Sequence, residues 1–267
     1  MAWVLAVTRW SAPGAERAEQ GWLQQRLGLA HYEASIRLHG RVPAVLAEEL
    51  DTERGRAMLA ELRQRGHGAV LCDMSLSPRE ETTAVVRDFV FERERFVGLD
   101  GEQRRFPIPY GEVLGIFEAM ETRESSAAVT REQRKFSMGR AALTGGVMPW
   151  KKVDRDATKV SVEHERVAYV FRRGGPEPML LRQDGLRYDG LGEYRPPTKI
   201  EGFQALLKWL RKYAPQAVHD RRMVTERRGT DLRAVEGARR MRAVRSNAEA
   251  NGLAAWLMMN GYLQEQV

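Results

Sequence analysis

Three short apolar runs punctuate the first quarter of the chain: Ala2 to Val7 (AWVLAV), Pro43 to Ala47 (PAVLA) and Ala69 to Cys72 (AVLC). Runs of this length suit buried strands. Between the second and third, Asp51 stands where a helix N-cap is wanted, and Glu53 follows in the first turn. Met58, Leu59 and Leu62 then fall three and four apart, on one face of a helix. Gly66 sits at the left-handed C-cap position, with Arg63 and Arg65 in the last turn. Ser11 and Pro13 suit an earlier helix start, continued by Ala15, Ala18, Trp22 and Leu23, and Leu27 to His39 reads as a further helix. The order predicted for residues 1–73 is β-α-α-β-α-β, a sheet with helices on one face.

Met74 to Thr83 is polar and reads as a linker. Val85 to Leu99 is rich in strand formers, Asp100-Gly101 is a hairpin signal, and Arg105 to Tyr110 returns as an edge strand because it carries Pro107 and Pro109. Glu112 to Met120 shows helical spacing (Val113, Ile116, Phe117, Met120), and Thr122 to Lys135 reads as an exposed loop or solvated helix. Val160 to Arg172, Pro178 to Arg182 and Leu186 to Tyr188 read as an antiparallel meander turned by Gly174-Gly175 and Asp184-Gly185. Thr198 and Glu201 form a capping box, and the helix after it carries Ile200, Phe203, Leu207, Leu210 and Ala214 until Pro215 stops it. Leu253, Trp256, Leu257 and Leu263 add an apolar stripe near the end, which is expected to dock back on its own domain. The fold class is α+β. Its expected parts are a small domain at 1–74, an antiparallel sheet closed by an amphipathic helix at 85–215, and a basic helical tail at 216–267.

The element order, the helical turn Tyr32-Glu33-Ala34, Pro43 before the middle strand, and the run from Ala57 through Leu62 to Gly66 resemble the fold shared by the ClpS adaptor and the C-terminal domain of the ribosomal stalk protein. In ClpS a destabilising N-terminal residue is held by an Asn-Asp pair after the first strand and by a histidine on the second helix. His39 takes the place of that histidine, whereas Thr8, Arg9 and Trp10 stand where the pair belongs, so the resemblance carries the fold rather than the ligand. It implies a partner-binding face that contains Tyr32, Arg37 and His39. More weakly, strands closed by one helix and the pattern Ile108 to Val113 resemble pleckstrin-homology-like domains, which bind peptides, proteins or lipid head groups.

Composition narrows these readings. Cys72 is the only cysteine, so no disulfide framework forms within one chain, which fits a reducing cytoplasm. No stretch approaches the roughly 18 apolar residues of a spanning helix. Net charge is +7. Along the sequence it is concentrated late: residues 221–245 hold nine arginines against Glu226, Asp231 and Glu236. The arginine-rich tail is a candidate phosphate-binding element through Arg227, Arg228, Arg239, Arg240, Arg242 and Arg245, to which Lys151 and Lys152, outside the tail, add with Trp150 as a stacking group. Metal-ligand, nucleophile-elbow and phosphate-loop motifs are absent from the sequence, and no cofactor is expected. The expected function is a binding or adaptor role toward another protein, the alternatives being nucleic-acid binding through the tail or peripheral binding to anionic lipid.

Overall fold

The computed structural model describes residues 3–39, 42–79, 81–136, 150–175, 177–225 and 244–267. The chain forms two compact units: Met1–Glu121 with His164–Arg239 and Asn247–Val267, and Thr122–Glu163 with Arg240–Ser246.

In the first unit, β1 (Trp3–Arg9) lies between β2 (Ala44–Leu50) and β3 (Gly68–Asp73), antiparallel to both. Helices α1 (Ala15–Ala18), α2 (Gln20–Leu27) and α3 (His31–His39) precede β2, and α4 (Thr52–Gln64) follows it. The first expected helix is divided at Glu19 into α1 and α2 and runs on to Leu27, and the helix expected over Leu27–His39 begins only at His31. Gly28 adopts φ 69° and ends α2, its N–H and that of Leu29 both reaching the Gln24 carbonyl. The Ala30 N–H then donates to the Glu33 carboxylate at the start of α3. The α4 signals are borne out. Asp51 accepts from the Arg54 N–H at 2.8 Å. Gly66, at φ 82°, donates to the Arg63 carbonyl and His67 to that of Leu62, the bond pair of a Schellman cap.

A second sheet runs in the order β11 (Val218–Asp220), β8 (Val113–Phe136), β9 (Trp150–Arg172), β10 (Met179–Arg182), β4 (Ala84–Val86). It is mixed rather than wholly antiparallel, because β10–β4 and β11–β8 pair parallel. A small antiparallel sheet holds β5 (Asp88–Phe91), β6 (Arg95–Leu99) and β7 (Arg105–Pro109), with the proline-bearing β7 at one end as expected. Helix α5 (Lys199–Tyr213) begins at Thr198, whose hydroxyl accepts from the Glu201 N–H and donates to the Glu201 carboxylate. Helices α6 (Arg222–Thr225) and α7 (Ala248–Leu263) follow, with β12 (Val244–Ser246) between them.

Three stretches depart from the expected elements. Glu112–Met120 is not a helix, and Thr122–Lys135 is neither loop nor helix: both lie largely within β8. The strand is buried on both faces over its first nine residues, so its apolar positions show no period of two. Ile116 joins one core, whereas Phe117 and Ala119 join another. Leu186–Tyr188 is not a strand either. Gly185 and Leu186 both donate to the Arg182 carbonyl, and the chain coils into a 3₁₀ segment at Asp189–Tyr194 that buries Leu191.

The second sheet separates two of the three cores. On β9, Ala168 and Val170 face one core while Val167, Tyr169 and Phe171 face the other. The first core is closed by α5 and the small sheet through Phe203, Leu206, Leu207, Phe89 and Phe96. The second packs α7 against the sheet and against Val4, Ala6, Val70 and Cys72 of the N-terminal strands. Leu5 and Val7 point to the third core, under α2, α3 and α4. The expectation that the C-terminal apolar stripe docks back is met in its middle: Trp256 and Leu257 are buried with the rest of Ala254 to Met259, whereas Leu253 is partly buried and Leu263 is 58% exposed.

Candidate functional site

Of the residues predicted to meet a partner, Tyr32 is 74% exposed, and Arg37 donates to the Leu46 carbonyl of β2 at 2.6 Å. Arg37 therefore ties α3 to the sheet. His39 closes α3, and its side chain lies outside the described residues. Lys151 and Lys152 lie on β9, and Arg245 lies on β12 opposite Glu124 of β8. Arg227, Arg228, Arg239, Arg240 and Arg242 lie outside the described residues.

The titratable groups of the N-terminal part are occupied by the fold. Buried His67 accepts from the Ser11 N–H at Nδ1, which leaves Nε2–H to donate to Glu19 at 3.2 Å. Arg65 reaches the same carboxylate at 2.9 Å. Glu61 accepts from the Trp22 indole and from Arg26, and these bonds hold its carboxyl below the usual range. Burial pushes the Cys72 thiol up to about 12, so it stays protonated at neutral pH. Among the described residues no group of three or more His, Cys, Asp or Glu side chains could hold a metal ion.

His219, on β11, is placed differently. Its Nδ1 accepts from Arg211 Nε at 3.0 Å, and the same guanidinium donates to buried Glu118 at 2.7 Å. Its Nε2 is buried without a partner among the described residues. Burial, with Arg211 beside it, pushes the imidazole down to about 4. A folded value below the ordinary one means that the unfolded chain binds a proton the native chain does not. The stability contributed by neutral His219 is therefore full above about pH 6.5, falls with pH through the window, and is gone below about 4. Its size is of order 2 kcal/mol after discounting for partial exposure. Urea midpoints taken across this window should show a slope that His219→Asn flattens, since the amide oxygen can still accept from Arg211; equal slopes in both proteins would refute it.

The surface best built for recognition is aromatic. Tyr194 stands at the end of the 3₁₀ segment, Phe91 at the end of β5, Tyr110 just after β7, and Trp209 and Tyr213 one turn apart on α5. Their rings touch in sequence. Tyr194 meets Trp209 at 5.5 Å, Trp209 meets Phe91 at 5.2 Å, and Phe91 meets Tyr213 at 5.7 Å. Tyr213 stacks on Tyr110 at 5.0 Å and 20°. The inner end is fixed, because the Tyr110 hydroxyl donates to the Glu92 carbonyl at 2.7 Å. The outer end is open: Tyr194 is 72% and Tyr213 40% exposed. The Tyr194 and Tyr213 hydroxyls and the Trp209 indole N–H have no hydrogen-bond partner among the described residues. Lys212 lies 5.9 Å above the Tyr213 ring, and Lys208 is exposed nearby on the same helix.

Sequence reasoning missed this surface because its rings come from four separate segments. The one signal available was on α5, where Trp209 and Tyr213 sit four apart beside the stripe of Phe203, Leu206, Leu207 and Leu210 rather than within it. No family model, curated protein or solved structure matches the chain.

Proposed function

We propose that the protein is a binding module that recognises an extended, proline-rich segment of another protein on the aromatic surface formed by Tyr194, Trp209, Phe91 and Tyr213. The observation that carries this reading is the row of touching rings with unpaired N–H and O–H donors at its open end. A polyproline helix makes no internal hydrogen bonds, so its carbonyls suit such donors, and its rings suit aromatic grooves. Rigid aromatic side chains also lose little rotamer freedom when they bind. Lys208 and Lys212 favour acidic residues flanking the prolines. The order of elements in residues 1–73 supports keeping the resemblance to the ClpS and stalk-protein fold within the same proposal of a protein-binding role.

The test is selection from a displayed peptide library on the immobilised full chain, with Tyr194→Ala/Tyr213→Ala as counter-selection. Both side chains are exposed enough to be removed without opening the core. Enriched peptides are expected to carry prolines and to bind the variant at least about tenfold more weakly, as for interface anchors. Peptides that bind both proteins equally, or no enrichment over the variant, would reject the reading.

A further inference from the structure

The two units divide the charge unequally. Residues 122–163 carry nine basic and five acidic residues, and 240–246 add Arg240, Arg242 and Arg245. The second unit is therefore +7, which is the net charge of the whole chain, and the first unit is electroneutral. Counting along the sequence hides this, because the two pieces of the basic unit are separated by more than seventy residues of neutral unit.

The backbone gives this charge a shape. Within the second unit β8 and β9 are paired strands, and β12 adds to β8 only across Arg123–Ser125. Past Ser125 the described part of the unit is a ribbon of two strands. The eleven residues from Ser126 to Phe136 span about 35 Å at the rise of an extended strand. Along it β8 carries Arg131, Arg134 and Lys135 against Glu132, and β9 carries Lys151, Lys152, Arg155 and Lys159 against Asp154 and Asp156, so the ribbon keeps a basic excess.

From this we infer that the second unit binds double-stranded DNA, with the two-stranded ribbon lying in the major groove and its arginines and lysines neutralising phosphates. The major groove of B-form DNA admits a two-stranded ribbon, whereas that of A-form RNA is too narrow. Binding is set by charge and shape rather than by base sequence, so it is steeply salt-dependent. This inference is independent of the peptide surface, which lies in the neutral unit.

The experiment measures anisotropy of a labelled random-sequence duplex of about 30 base pairs with the full chain between about 50 and 200 mM salt. Two triple variants are compared, one per strand: Arg131→Gln/Arg134→Gln/Lys135→Gln and Lys151→Gln/Lys152→Gln/Arg155→Gln. Using both strands means that misfolding of one variant does not void the result. A control removes three exposed charges from the neutral unit, Arg17→Gln/Arg56→Gln/Arg79→Gln. Each ribbon variant is expected to weaken binding about tenfold or more and to lower the salt slope by about one for every phosphate it no longer neutralises, while the control changes neither. No binding at low salt would overturn the inference, as would equal effects of ribbon and control variants. Equal affinity for duplex RNA of the same length would overturn the groove assignment, and binding to phosphatidylserine vesicles but not to DNA would replace it with a membrane surface.

Discussion

A chain ended at Asn247 is expected not to fold. The cut removes α7, whose Ala254, Ala255, Trp256, Leu257, Met258 and Met259 are all buried. They fill the core between the second sheet and the N-terminal strands, where Val4, Ala6, Val70, Cys72, Phe117, Tyr169 and Phe171 would be laid open. Two tethers go as well: the Asn251 amide donates to the Met120 carbonyl at 3.0 Å, and the Tyr169 hydroxyl to that of Ala248 at 3.1 Å. Removing even one such large side chain costs about 2–5 kcal/mol, and native domains have only about 5–15 kcal/mol in all. The shortened protein should bind a hydrophobic dye and show no cooperative melt. A soluble 1–247 fragment with a sharp thermal transition would show that α7 is dispensable.

The second large effect is expected at Phe89. This side chain is fully buried and sits amid Phe91 at 5.7 Å, Phe96 at 6.0 Å and Tyr188 at 6.2 Å. Its backbone is also pinned, since a Cβ on Gly190 would lie 2.0 Å from the Phe89 carbonyl oxygen. The 3₁₀ segment is thus pressed against β5 and leaves the surroundings little room to collapse. Phe89→Ala should cost about 4 kcal/mol and lower the melting temperature by about 10 °C. The exposed neighbour Tyr194, changed to Ala, should move it by no more than a degree or two, since surface changes stay within about 0.5 kcal/mol. Calorimetry of the two variants separates core from surface; equal shifts would mean that the aromatic surface is part of the fold rather than a place for a ligand.

Much of the fold could be read from the sequence where a local signal names its own structure. Asp51 and Gly66 bracket α4 because an N-cap oxygen and a left-handed glycine do their work within a few residues. The T-x-x-E pair fixes the start of α5 for the same reason, and Asp100-Gly101 joins β6 to β7. The first nine residues of β8 could not be read this way. A strand covered on both faces loses its alternation, and Val113, Ile116, Phe117 and Met120 then fit a helix equally well. Ile200 shows the opposite error: its spacing places it on the apolar stripe of α5 with buried Phe203, Leu207 and Leu210, yet it lies in the first turn of the helix and is 55% exposed.

The candidate surfaces were decided by tertiary structure alone. No periodicity links Phe91, Tyr110, Tyr194 and Trp209, whose rings meet only because the small sheet, the 3₁₀ segment and α5 enclose one core. The charge pattern is of the same kind. By sequence the basicity belongs to the last fifth of the chain, and by unit it belongs to a β8–β9 ribbon joined by seven residues from that tail. Local chemistry determines caps, turns and apolar runs over a handful of residues; which distant rings and charges share a surface follows only from how the sheets pack.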